Sequence, residues 1–302
     1  MPTAALIGLD WGTSVARAYR IAADGTVIDT RSADCGLQKL GARSFAQAFT
    51  DLVGDWGREP LPRIAAGMIG SRNGWIEVPY VDAPATLAAL AGGLGRTPGG
   101  ELAIVPGVMV RDGEGTPDVI RGEETEVFGA LDDPGADALL VMPGTHSKWV
   151  SARGGRIVDF ATWMTGEIYA VMLQHSILGR LAESAGSHRD VAFMRGVDSG
   201  LRDGAIAHDL FAARTLVLGG DLTPHDVTDF LSGLLIGREV RDGQQWARAH
   251  GDSLGNVHVV GADALSDRYS RALTRAGITS RRAPAAAARG LFRIAHAASL
   301  IP

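Results

Sequence analysis

The chain has 302 residues, of which 46% are hydrophobic and 21% charged, with a formal net charge of -5. That length suits two globular domains, and the charge provides no concentrated basic face for a nucleic-acid backbone. A single cysteine, Cys35, excludes an intrachain disulfide and a cysteine-built zinc site.

The first apolar run, Leu6 to Leu9, reads as a buried strand ending in Asp10 and the turn Gly12-Thr13-Ser14. Ala16 to Ile21 reads as the return strand, and Asp24-Gly25 turns it into a third strand, Val27 to Thr30. Ser44 to Trp56 has helical spacing, with Phe45, Ala48, Phe49, Leu52 and Val53 on one side. Ile64 to Met68 reads as a buried strand, Pro84 to Leu94 as a short helix and Leu102 to Gly107 as another strand. The polar, turn-rich stretch from Asp112 to Pro117 predicts a domain boundary, dividing the chain into 1-117 and 118-302.

The second half repeats this order. Leu139 to Met142 reads as a strand ending in Pro143-Gly144-Thr145-His146-Ser147, Lys148 to Ala152 returns, and Gly154-Gly155 turns the chain into a strand at 156-160. Helices are expected at 166-181, 189-210 and 224-238. A strand at 257-262 ends in Gly261-Ala262-Asp263, and helices follow at 265-276 and 285-300. An internal repeat of this kind implies two similar domains. The order βββαβαβ in each predicts α/β domains, each with an antiparallel hairpin on an otherwise parallel sheet.

The two glycine-threonine turns have a chemical use. Glycine lets backbone N-H groups approach an anion, and the neighbouring hydroxyls add donors, so Gly12, Thr13, Ser14, Gly144 and Thr145 are candidate phosphate ligands. A carboxylate beside phosphate needs a cation between them, which makes Asp10 a candidate Mg²⁺ ligand, with a turn-capping role as the alternative. Glu123 and Glu124 open a helical stretch, where a carboxylate can take the proton from an acceptor hydroxyl or simply complement the helix dipole. Lys148, on the side of its strand opposite to Ser147 and Trp149, would stabilise charge on a γ-phosphate. His146 has no second histidine at metal-ligand spacing.

Taken together, Asp10-Trp11-Gly12-Thr13-Ser14, Ala66 to Ser71, Arg121-Gly122-Glu123-Glu124-Thr125 and Met142 to Trp149 resemble the 2-keto-3-deoxygalactonokinase family. This family lies within the actin, Hsp70 and sugar-kinase superfamily. Met164 to Glu167, Phe230 to Gly237 and Ile294 to Ala297 extend the likeness over nearly the whole chain. The resemblance implies two ribonuclease H-like (actin-like ATPase) domains flanking a cleft, with ATP and Mg²⁺ as cofactors. It also implies phosphorylation of the 6-hydroxyl of 2-dehydro-3-deoxy-D-galactonate in galactonate or galactose breakdown. By the same resemblance Gly12, Thr13, Gly144 and Thr145, with Ser14, His146 and Lys148 beside them, bind the nucleotide's phosphates, and Gly261 and Ala262 its adenosine. The superfamily's catalytic aspartate falls on Glu123 or Glu124, with Glu124 preferred. Gly70, Ser71, Trp75 and Glu167 are the candidate contacts to the sugar acid.

Two rival readings share the fold: a kinase of another sugar or sugar acid, and a non-catalytic nucleotide switch. A Rossmann dehydrogenase fits poorly, because its glycine turn opens into a helix whereas Gly12 opens into a strand. No apolar run approaches the roughly 18 residues that span a bilayer, and no basic stretch precedes the first apolar residues. The expected partners are therefore small molecules without nucleic acid or membrane, the expected location is cytoplasmic, and a homodimer is compatible.

Overall fold

The computed structural model describes residues 3-183, 189-283 and 286-302. They form two compact units: Met1–Asp137 with Ala152–Phe160 and Ala283–Pro302, and Ala138–Ser151 with Ala161–Arg282.

In the first unit the elements run β1 (Ala4–Trp11), β2 (Ala16–Ala22), β3 (Val27–Ala33), α1 (Phe45–Val53), β4 (Arg63–Gly67), β5 (Val81–Asp82), β6 (Ala85–Thr86), α2 (Leu87–Gly92), β7 (Gly95–Arg96) and β8 (Ala103–Ile104). β9 (Val108–Arg111), β10 (Pro117–Ile120) and α3 (Glu123–Ala130) follow. The main sheet has the order β3-β2-β1-β4-β8-β7. β1 lies antiparallel to β2 and parallel to β4, which itself lies parallel to β8. Leu6, Ile7, Leu9 and Trp11 of β1 are all fully buried, as a central strand covered on both faces requires. α1 begins where Ser44 Oγ accepts the Gln47 N-H at 3.1 Å, and it buries Ala48, Phe49, Leu52 and Val53.

Compactness divides the chain differently from the sequence repeat. Asp112 to Thr116, read above as a boundary, is the tight turn of the β9-β10 hairpin, with Asp112 Oδ1 accepting the N-H groups of Glu114 (3.0 Å) and Thr116 (2.8 Å). β5, β9 and β10 make a small separate sheet that no sequence signal marked.

The next elements are β11 (Ala138–Met142), β12 (Ser147–Arg153), β13 (Arg156–Trp163), α4 (Thr165–His175), α5 (Asp190–Leu201), α6 (Ile206–Asp209), α7 (Ala212–Leu218), α8 (Val227–Ala249), β14 (Val257–Val260), α9 (Asp263–Arg275), β15 (Ser280–Ala283) and α10 (Ala286–Ala297). β11 pairs in parallel with β14, Leu139 opposite Val257, as β1 pairs with β4 in the first unit. α8 runs eleven residues past the expected end at Arg238, because its buried face continues through Val240, Gly243 and Ala247. α10 begins among the described residues at Ala286, while the expected start at Ala285 lies outside them. α10 belongs to the first unit, where Leu291 packs on Gly8 of β1. Among the described residues no helix is long and apolar enough to cross a membrane.

Candidate functional site

In the first unit Asp10 stands at the C-terminal end of β1, and the turn after it is held from one side. The carbonyls of Gly12, Thr13 and Ser14 accept from Leu37 N (3.1 Å), Gln38 N (2.9 Å) and Gly36 N (3.0 Å). A peptide N-H points away from its own carbonyl, so pinning the carbonyls turns the following amides the other way, as an anion cradle needs. Thr13 and Ser14 are exposed. Gly36 makes this possible, since a Cβ there would overlap the backbone of Thr13 and Ser14. Sequence reasoning missed Gly36, whose only signal is its place at the start of a short turn after β3.

A second glycine contact brings α3 to the same strand end. Gly67, opposite Trp11 in the β1-β4 register, and Gly122, which precedes α3, have φ values of 95° and 109°, open to glycine. A Cβ on Gly122 would lie 3.2 Å from Gly67 Cα. The contact gathers carboxylates closely: Glu123 acts on the protonation of Asp10, and Asp10, Glu123 and Glu124 act on that of Glu126. Burial, reinforced by Asp10, Glu123 and Glu124, pushes Glu126 up to about 8. Burial also raises Asp10, against the opposing pull of Arg17, whose Nη1 lies 3.3 Å from Asp10 Oδ2. Neither Arg17 nor Glu126 was singled out from sequence. Arg17 could have been, because it sits directly across the hairpin from Asp10.

Glu124, the residue preferred from sequence, has no exposed surface, and both its oxygens are engaged. Oε2 accepts Gly122 N-H at 2.7 Å and Oε1 accepts the Thr125 hydroxyl at 3.1 Å. Burial, with Glu123 beside it, pushes it up to about 7. Glu123 is part-exposed, and its Oε2 accepts Arg121 N-H at 2.9 Å. Of the other first-unit candidates, Gly70 is buried, Ser71 Oγ donates to its own turn at Met68 O (2.7 Å), and Trp75 packs on Phe49 with ring centroids 5.8 Å apart. Among the described residues no three acidic, histidine or cysteine side chains form a metal cage. Magnesium held by one or two carboxylates, waters and substrate phosphates needs none.

In the second unit Gly144-Thr145-His146 closes β11 onto β12. Thr145 and His146 are exposed. The start of α4 packs backbone to backbone on this turn: Glu167 N donates to Thr145 O at 2.9 Å, and a Cβ on Gly166 would overlap the Gly144 carbonyl. Glu167 and His146 are hydrogen-bonded to each other. Lys148 is buried, with Nζ donating to His146 O at 2.7 Å, so it braces the turn.

Beneath the turn lies Glu239 of α8, 1% exposed and unmarked by sequence reasoning. Its Oε1 accepts Ser147 Oγ (2.6 Å) and Trp149 Nε1 (3.0 Å), and its Oε2 accepts the Tyr269 hydroxyl (2.5 Å). Burial raises its proton affinity, and these donors, with Thr165, oppose the shift. The shared partner of Ser147 and Trp149 places them on one face of β12, as strand alternation requires. Thr165 and Tyr269 also line a cavity of about 260 Å³, with Gly144, Gly166, Leu235, Ile236 and Leu265 around it. Gly261, at the end of β14, reaches the same corner: a Cβ there would lie 3.4 Å from Pro143 O and 3.5 Å from Ser266 Oγ. Ser266 Oγ is buried without a hydrogen-bond partner. An apolar cavity flanked by a glycine turn, an unsatisfied hydroxyl and a helix start fits a nucleoside whose phosphates leave past Gly144.

Paired β-hairpins followed by α-β-α-β in each half, with a glycine-threonine turn after the first strand, define a protein of the actin-like ATPase fold with two ribonuclease H-like domains. The nucleotide-bound activator of 2-hydroxyisocaproyl-CoA dehydratase from Clostridium difficile shares the fold alone, with a TM-score of 0.52 at 13% identity over 97% of this chain and 94% of that one. The model of the 2-keto-3-deoxy-galactonokinase family matches residues 10–294, and the chain belongs to that family. The 2-dehydro-3-deoxygalactonokinase of Escherichia coli strain K12 is 35% identical over 297 residues, covering 98% of this chain and 99% of the relative. A solved structure from Sinorhizobium meliloti, provisionally given the same enzyme name, superposes with a TM-score of 0.85 at 34% identity, over 97% of this chain and 98% of that one.

Proposed function

We infer that the protein is an ATP-dependent sugar-acid kinase that phosphorylates the 6-hydroxyl of 2-dehydro-3-deoxy-D-galactonate, in galactonate or galactose breakdown. The observation that carries this reading is the meeting of Asp10 and Glu123 at the end of β1 in a chain of this family.

Glu123 is the base. It is part-exposed, stands on a rigid helix start and has an oxygen anchored by Arg121 N-H, whereas Glu124 is sealed. Its carboxylate takes the proton of the 6-hydroxyl as that oxygen bonds to the γ-phosphorus and the bridging oxygen departs with ADP. Glu124 holds the Gly122 peptide in place and so positions Glu123. Asp10 holds Mg²⁺ directly or through water, and the metal supplies neutralisation of phosphate charge. The raised proton affinity of Asp10, set among other carboxylates, supports a need for a cation there.

The amides and hydroxyls of Thr13 and Ser14 orient phosphate oxygens in the first unit, where Gly12, its N-H donating to Val15 O at 2.9 Å, shapes the turn. Gly144, Thr145 and His146 do so in the second, with Lys148 acting through the turn it braces. Gly261 and Ala262 border the adenosine, for which the unsatisfied Ser266 hydroxyl provides a donor. Gly70, Ser71, Trp75 and Glu167 are proposed to border the sugar acid. By element order the two repeats divide as 1-117 and 118-302.

The test is a panel of sugar acids and neutral sugars with purified protein, ATP and Mg²⁺, reading ADP and phosphorylated acceptor together. Stoichiometric phosphorylation of the sugar acid is expected. Turnover confined to neutral hexoses, or ATP hydrolysis with no phosphorylated acceptor, overturns the reading.

A further inference from the structure

A sugar acid presents a carboxylate at the end of the molecule opposite its terminal hydroxyl, and an enzyme selective for it needs a cation at that end. Arg17 is paired with Asp10 and half exposed, which commits it to the metal end. Arg121 is in a different condition. Its Nη2 donates to Val78 O at 2.7 Å, and its Cζ lies 4.3 Å from the centre of the Tyr80 ring, so the guanidinium is fixed from two sides. Its Nε and Nη1 are shielded from water and have no hydrogen-bond partner.

Other arginines with an unsatisfied nitrogen are better provided. Arg20 has Glu59, Arg238 has Asp209, and Arg63 reaches the carbonyls of Gly57 and Glu59. Among the described residues Arg121 alone has two buried guanidinium nitrogens without a hydrogen-bond partner, and no acidic side chain pairs with it. Two water-shielded, unbonded nitrogens on a part-buried cation are a costly arrangement that an anionic ligand would relieve.

The surroundings tie this cation to the proposed base. The backbone N-H of Arg121 donates to Glu123 Oε2, while its side chain runs to Val78, Tyr80 and Gly70. A Cβ on Gly70 would come within 3.0 Å of Arg121 Nη1 and 2.8 Å of Ile104 Cγ2, so glycine makes the room for the guanidinium. Base and cation thus branch from one short segment, with the length of an arginine side chain between them. A molecule with a hydroxyl at one end and a carboxylate at the other has that layout.

We propose that Arg121 is the specificity-determining residue that receives the carboxylate of the sugar acid. This rests on the kinase reading above. A planar guanidinium suits a carboxylate better than an ammonium does, because it can donate two parallel hydrogen bonds and is less strongly hydrated.

The experiment is a cycle of wild type, Arg121→Gln and Arg121→Lys against 2-dehydro-3-deoxy-D-galactonate and its carboxamide, with KM for ATP and Tm measured for each protein. Wild type should prefer the acid by about 100-fold in kcat/KM, the scale of a charge-assisted hydrogen-bond pair. Arg121→Gln should reduce that preference to within about threefold, because removing either member of an interacting pair removes the same energy. KM for ATP and Tm should hold, and Arg121→Lys should keep part of the preference. The lysine variant is read in the same cycle if the glutamine variant does not fold. An acid preference undiminished in a folded variant overturns the proposal, as does a wild type indifferent between acid and carboxamide. A variant that loses stability and ATP affinity yet still prefers the acid assigns Arg121 a purely structural role, and also overturns it. Failure of wild type to phosphorylate either compound overturns the kinase reading itself.

Discussion

At the scale of single residues, the two adjacent glutamates at the start of α3 show how burial separates chemically identical groups. Glu123→Gln should lower kcat by about 10²- to 10⁴-fold with KM values little changed, the usual range for a lost general base. Glu124→Gln should cost far less, because a glutamine oxygen can still accept Gly122 N-H. Single-turnover rates of the two variants decide it, and a deficit in Glu124→Gln as deep as that in Glu123→Gln would reverse the assignment. Glu124 also makes a prediction about stability. Its folded value of about 7 lies above that of an exposed glutamate, so the folded state binds its proton more tightly. That stabilisation is complete below about pH 4.5 and is lost as pH rises through 7, by at most about 3 kcal/mol. Denaturation of the ligand-free protein should therefore show a flatter pH dependence over that interval in Glu124→Gln than in wild type. Asp10→Asn should abolish most turnover while leaving Tm nearly unchanged, and near-normal activity at saturating Mg²⁺ would remove Asp10 from the metal.

Between elements, glycine sets the distances. α5 and α8 meet through Gly196 and Gly200 on one helix and Gly233 and Gly237 on the other, each placed where a Cβ would overlap a backbone atom of its partner. α3 and α10 meet in the same way, Gly129 against the Ala286 carbonyl and Gly290 against that of Thr125. The second contact matters for the proposed chemistry, because α3 carries the proposed base, and Arg289 and Arg293 of α10 add hydrogen bonds to the carbonyls at its end. Gly233→Ala should destabilise the protein by about 1–3 kcal/mol through overpacking, read as a lower denaturant midpoint. An unchanged midpoint would mean that α5 and α8 slide apart without cost. The period of apolar residues made most helices visible in the sequence, but not these partnerships, since one glycine looks like another until a backbone lies against it. The length of α8 was hidden for a related reason: Glu239 interrupts the apolar pattern and is buried only because Ser147, Trp149, Thr165 and Tyr269 supply donors.

For the molecule as a whole, the proposed nucleotide and sugar-acid contacts fall on different segments, so each ligand should protect a distinct set of amides. A non-hydrolysable ATP analogue should slow hydrogen exchange at 13-15, 144-149 and 257-269. The sugar acid should slow it at 69-75 and 121-127. Exchange mass spectrometry with each ligand separately reads this, and identical protection maps would contradict the division. Either ligand at a hundred times its Kd should stabilise the fold by about 2.7 kcal/mol if it binds only the native state.

The sequence by itself determined the two repeats, the strand-turn pairs at Asp10 and Gly144, the acidic helix start and, through motifs spread along the chain, the family. These are local signals, carried by apolar period and by the few residues that turns require. Only the tertiary structure decided which glutamate is accessible, which lysine is a brace, and which arginine keeps two buried nitrogens unbonded. Burial and pairing are properties of what the rest of the chain places around a residue. The Gly122-Gly67 contact joins segments 55 positions apart, and Glu239 meets donors up to 92 positions away. No local pattern encodes such meetings, and the chemistry of the site depends on them.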